Sequence, residues 1–193
     1  MSKSGIILLA DKAGCLNDFS VEFMPLPEFN AALQPLLQSH LECFVVLSGS
    51  DPLWESHLDD LGVEWGVCPD AHQGVDACTA FGVHCTQSWH GWVIDVAHTP
   101  TTPLELYAAL ASVVERYPLA SALDQQGKRC FPIAFEGSLG CSLMVPANEI
   151  LGKALDTPPS DAPMQWLNLA FAAPVPEPQH PVYPSSSEPA SDV

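Results

Sequence analysis

A chain of 193 residues, 47% hydrophobic, suffices for one domain with a full core and is short for two. Its 6 Lys and Arg against 23 Asp and Glu give a formal charge of -17, a field that argues against nucleic acid and anionic membrane as partners. Seven cysteines without a CxxC pair, no signal-peptide pattern and no apolar run of the ~20 residues that cross a bilayer predict a soluble, cytoplasmic protein with free thiols.

Apolar runs of strand length alternate with helical patterns, the signature of βαβ units and a mostly parallel sheet. The first strand is predicted at Ile6–Ala10 and runs into a loop, Asp11–Asp18. A helix within Glu28–Leu41 follows, with Leu33, Leu36, Leu37 and Leu41 on one face. Pro35 would remove a backbone hydrogen bond from it, so the pattern predicts a start or a kink there. Strand Phe44–Leu47 precedes a better-punctuated helix. Ser50 or Asp51 can cap it, Pro52 suits its first turn, Trp54, Leu58 and Leu61 face inward and Gly62 ends it.

Strand Val63–Val67, a loop at Pro69–Asp76 and a helix at Val75–Cys85 come next, the helix turning Ala77, Cys78, Phe81 and Cys85 to one side. Strand Trp92–Ala97 leads to Thr102-Pro103-Leu104-Glu105, a capping box with proline at the first helical position. The helix it opens is predicted to run to about Arg116 with Leu106, Leu110, Val113 and Val114 as its core face. Further strands are marked at Leu119–Leu123, Cys130–Phe135 and Trp166–Leu169, with a polar turn at Asp124–Arg129 and a helical region across Ser138–Leu155, interrupted near Pro146. From Pro174 onward Pro, Ser and acid dominate, which predicts a folded domain over 1–173 and a disordered tail over 174–193.

Three loops fall just beyond strand carboxyl ends, where open α/β sheets bind ligands: Asp11–Asp18, Pro69–Asp76 and Ala97–Thr102. Thr99, Thr101 and Thr102, near a helix start, could bind an anion through N–H groups and hydroxyls, but spacing alone favours a simple cap. His84 and Cys85 with His90, or His72 with Cys68, lie close in sequence at no recognised metal-ligand spacing, so structural thiols and surface histidines are the simpler account. No Gly-x-Ser-x-Gly elbow or Walker motif occurs. Spacing thus yields a fold and no reaction.

The order of the loop sequences carries more. Leu9-Ala10-Asp11-Lys12-Ala13-Gly14-Cys15-Leu16-Asn17-Asp18-Phe19 closes the first strand, and Pro69-Asp70 with Gly74 follows the third. Trp92-Val93-Ile94-Asp95-Val96-Ala97 ends in His98-Thr99-Pro100, and Phe131-Pro132-Ile133-Ala134 and Leu167-Asn168-Leu169-Ala170-Phe171 come later. In this order, from Gly5 to Ala173, the segments resemble the MobA-like molybdenum cofactor guanylyltransferases, a branch of the nucleotidyltransferases. The corresponding family motifs are Leu-Ala-Gly-Gly-x-Ser-x-Arg-Met-Gly before Asp-Lys, then Pro-Asp, Asp-Thr-Pro or Asp-Met-Pro, and Asn-x-Asn-Thr-Pro.

The resemblance implies a Rossmann-like three-layer α/β domain, a mostly parallel sheet with helices on both faces, that binds GTP and Mg²⁺ and moves GMP onto molybdopterin. It implies nucleotide contacts at Leu9, Ala10, Lys12, Asp70, Thr99 and Asn168, and it puts His98 at the position of the family's metal-binding Asp. The departures fall on the charged groups. Asp11-Lys12 replaces the Gly-Gly pair, Leu16 the loop Arg and Phe19 the following Lys, while imidazole is a poor ligand for a hard cation. Asp95, three residues before His98, points to the opposite face by strand alternation.

Four losses at once imply a divergent member without efficient nucleotidyl transfer, associated with cofactor handling through a molybdoenzyme or maturation-protein partner. Two alternatives stand beside it: an active guanylyltransferase that uses Lys12 with Asp95 or Asp70, and a non-enzymatic interaction module.

Overall fold

The computed structural model describes residues 4–10, 24–97, 102–114, 116–117, 119–123, 129–137 and 166–170. Strands β1 (Ser4–Ala10), β2 (Glu42–Leu47), β3 (Glu64–Val67), β4 (Gly91–Val96), β5 (Leu119–Leu123), β6 (Arg129–Glu136) and β7 (Trp166–Ala170) form one sheet in the order β3-β2-β1-β4-β6-β5-β7. The helices are α1 (Leu26–Gln38), α2 (Pro52–Leu61), α3 (Val75–Cys85) and α4 (Leu104–Val113). Among the described strands only β6 runs against the others, pairing antiparallel with β4 and β5. Five residues separate antiparallel β5 and β6, whereas the parallel neighbours β1 and β2, and β2 and β3, are joined through α1 and α2.

The centre of the sheet is buried on both faces, which is why its strands read as continuous apolar runs. Ile6, Leu8 and Ala10 of β1 pack with Phe29, Leu33, Leu58, Tyr107 and Leu110, so α1, α2 and α4 cover one face. Ile7 and Leu9 point the other way, into a layer with Cys78 and Val83 of α3. No described helix is long and apolar enough to cross a membrane.

Punctuation sets the helix ends. At α2 the Asp51 carboxylate accepts the N–H groups of Leu53 (2.7 Å) and Trp54 (3.3 Å), Pro52 occupies the first turn, and Gly62 closes the helix at φ 66°. Trp54 and Leu58 are buried as expected, but Leu61 is 36% exposed beside that final glycine. Helix α1 corrects the reading of Pro35: it starts at Leu26, behind Pro25 and Pro27, and continues through Pro35. The carbonyl that Pro35 cannot pair with belongs to Ala31, an exposed residue, so water can satisfy it.

Helix α3 has the predicted bounds and a different inner face. Cys78, Thr79, Gly82 and Val83 are buried, Ala77 and Phe81 are half-buried and Cys85 is exposed. Its small residues decide this. A Cβ on Gly82 would stand 2.8 Å from Cγ2 of Ile7 and 3.0 Å from Cγ2 of Val46, so the helix lies too close to the sheet for any side chain there. Thr79 is fully buried with no hydrogen-bond partner for its hydroxyl. Thr79→Val keeps the shape and removes that orphan group, so it should stabilise the protein by about 1 kcal/mol, measured by denaturant unfolding.

At α4 the predicted capping box does not form. The N-cap residue is Pro103, no side chain caps the helix, and the helix proper ends at Val113. Thr102 directs its hydroxyl elsewhere. Val113 is only half-buried, and Tyr107, outside the predicted core face, is 1% exposed. The helical region at 138–155, most of the turn at 124–129, and the boundary between 1–173 and the tail at 174–193 lie outside the described residues.

Candidate functional site

The chain leaves β1 through α1 on one face and arrives at β4 through α3 on the other. The strand order therefore reverses between β1 and β4, and the carboxyl ends of these strands form the switch point at which open α/β sheets bind ligands. Short backbone links extend the sheet to this edge. The N–H of Ala97 donates to the Leu9 carbonyl (2.8 Å), that of Ser48 to the Ala10 carbonyl (3.1 Å) and that of Cys68 to the Leu47 carbonyl (2.9 Å).

Two of the expected nucleotide contacts, Leu9 and Ala10, end β1 at this switch point, with side chains 0% and 1% exposed. Asp70 is exposed at the same edge, in a turn where its carbonyl accepts the Gln73 N–H (2.9 Å). Gly74 then enters α3 at φ 99°, a conformation that favours glycine. Asp70 follows β3, two strands from β1, or about 10 Å at ordinary strand spacing. Asn168 sits in β7 opposite Ser121, four strands from β1 and on the order of 19 Å away along the sheet. The structure does not bring it to the switch point. Lys12, His98 and Thr99 lie outside the described residues.

Among the described residues, a polar cluster beside the switch point centres on Asp95. This residue shares a face with Val93 and Ala97, toward α4, as alternation predicts, and is 1% exposed. Its Oδ2 accepts the hydroxyls of Thr102 and Tyr107, each at 2.6 Å, and its Oδ1 accepts the Val96 N–H at 2.8 Å. Hydroxyl–carboxylate bonds this short are charge-assisted. Burial, with the Asp95 charge and hydrogen bond beside it, pushes the Tyr107 phenol far above its ordinary range, so it remains a donor. Sequence reasoning placed Asp95 and missed both side-chain partners. The available signal was a lone acid in a strand otherwise built of buried apolar residues, a position that demands donors.

No family model and no curated protein matches the chain. Solved structures do. Rv0371c from Mycobacterium tuberculosis, in complex with manganese, superposes with a TM-score of 0.66 at 13% identity, covering 89% of each chain. A CMP:2-keto-3-deoxy-manno-octonic acid synthetase complexed with CTP gives 0.62 at 12% identity, over 89% of this chain and 91% of that one. A nucleotidyl transferase from Methanothermobacter thermautotrophicus gives 0.61 at 14% identity, over 88% of each. The fold is nucleotidyltransferase-like.

On this nucleotidyltransferase-like sheet the described part of the carboxyl edge is acidic. It carries Asp51, Asp70 and Asp76 beside β1, β2 and β3, while the one arginine there among the described residues, Arg129, opens the antiparallel β6 opposite Leu123, two strands from β1 on the other side; Arg116 follows α4, which runs back toward the amino edge. Among the described residues no three His, Cys, Asp or Glu side chains converge on one point. Asp95 is turned to two hydroxyls and a backbone amide instead. Cys68 and Cys78 are buried, in line with structural thiols, whereas Cys85, expected on the core face, is exposed. Cys43 is pushed up to about 12 by burial, and burial also raises Cys68 and Cys85, so they stay protonated and unreactive near neutral pH.

Proposed function

We propose that this chain is a divergent MobA-like protein of molybdenum cofactor or molybdoenzyme maturation, one that keeps the cleft of its fold without efficient nucleotidyl transfer. The nucleotidyltransferase-like fold supports the first half of this reading, together with the collinear motif remnants from Leu9 to Asn168. The observation that carries the second half is Asp95. Nucleotidyl transfer needs a metal ion, held by an acid, to offset charge on the reacting phosphate oxygens. Asp95 is the acid on β4 that could replace the missing one, yet its carboxylate is buried and engaged by Thr102, Tyr107 and Val96. Asp70 stands two strands away. The reading with active guanylyl transfer, which leans on these two acids, is the weaker for it.

The net charge of -17 works in the same direction by repelling a free triphosphate. In calorimetric titration GTP should bind with a Kd near a millimolar or weaker, roughly 4 kcal/mol, and neither Mg²⁺ nor Mn²⁺ should strengthen it. CTP, bound by one of the structural neighbours, serves as the second probe. Micromolar, metal-dependent binding of either nucleotide would overturn the proposal and restore an active transferase.

A further inference from the structure

We infer that Asp95 is a positioning residue: its carboxylate ties the carboxyl end of β4 to the entry of α4 and fixes these two ends relative to each other at the switch point of the sheet. The bonds divide between the two sides of the connection. Oδ1 holds the Val96 N–H, on the strand, while Oδ2 holds the Thr102 and Tyr107 hydroxyls, one just before α4 and one in its first turns. Residues 97 and 102, which bracket the connection, are thereby held relative to each other.

A purely stabilising role explains this cluster poorly. Asp95 stands among Val93, Ala97 and Leu106, where an apolar side chain would fill the space without desolvating a charge. Thr102 directs its hydroxyl to Asp95 and leaves α4 without a side-chain cap. Two groups thus forgo the locally favourable arrangement, and what results is a defined geometry at the ligand edge of the sheet. This inference rests on the proposed use of that edge for a ligand, but its main test does not require the ligand to be known.

The cleanest variant replaces all three groups together, Asp95→Leu, Thr102→Val and Tyr107→Phe, because it removes both sides of the two hydroxyl–carboxylate bonds, and relief from burying a charge offsets the one acceptor lost to the Val96 N–H. Its unfolding midpoint should stay within about 4 °C of the parent. Amide hydrogen exchange over 96–106 should nevertheless accelerate at least tenfold while exchange in β1, β2 and α2 is unchanged. Asp95→Asn, which keeps an acceptor oxygen for the two hydroxyls but turns its NH2 toward the Val96 N–H, should accelerate exchange over 96–106 less than the triple variant does. Unchanged exchange over 96–106 in the triple variant, or uniform acceleration with a falling midpoint, would overturn the inference. If the triple variant does not fold, Tyr107→Phe alone is read by the same local criterion.

GTP affinity, followed by ligand-observed NMR, should weaken severalfold in the triple variant. Micromolar, metal-dependent GTP binding by the parent contradicts only the proposed function, and the exchange pattern still decides the role of Asp95.

Discussion

Phe29→Ala is expected to lower stability by about 3–5 kcal/mol, a large part of the ~5–15 kcal/mol that holds a domain folded. Phe29 is fully buried and stacks on Trp54 with ring centroids 4.1 Å apart and an interplanar angle of 10°. The stack joins α1 to α2 and lies in the layer that holds Leu8, Leu33 and Leu58 against the sheet. Truncation removes the ring contact and leaves a cavity that two neighbouring helices cannot both close. Denaturant unfolding should show a reduced midpoint with an unchanged m-value. Leu37→Ala, on the same helix but 38% exposed, should change stability by about 0.5 kcal/mol or less. A loss below about 1 kcal/mol for Phe29→Ala would mean that α1 does not pack as described.

The strands were legible because a parallel sheet covered on both faces needs uninterrupted apolar runs; Leu119–Leu123 agrees residue for residue. Helix α2 was legible because Asp51, Pro52 and Gly62 act locally, each through its own backbone requirement. What stayed hidden depends on tertiary contact. The inner face of α3 follows from close approach at Gly82, which a pattern of large residues misses. Thr102 can serve a helix end or a distant carboxylate, and only the position of Asp95 decides between them. The strand ends were legible as strand ends, whereas the switch point between β1 and β4 and the remoteness of Asn168 needed the strand order, with β6 and β5 lying between β4 and β7.

The second large effect concerns the loops the resemblance links to phosphate and metal. Asp11→Gly, Lys12→Gly, Leu16→Arg and His98→Asp, made together, restore the family residues at four positions expected to act as a unit, so single changes would couple non-additively. The glycines remove side chains and an acid where backbone should approach phosphate. The guanidinium supplies a bidentate phosphate partner, and the new carboxylate supplies the oxygen ligand that Mg²⁺ prefers. The central claim is that a nucleotidyltransferase-like scaffold persists while its phosphate and metal groups have been lost. Calorimetric titration of GTP into parent and quadruple variant, each with and without Mg²⁺, tests it most directly. The account predicts magnesium-dependent binding at least tenfold tighter in the variant, about 1.4 kcal/mol or more, and no magnesium effect in the parent. A variant that folds like the parent yet binds GTP no better with Mg²⁺ than without it would contradict the claim.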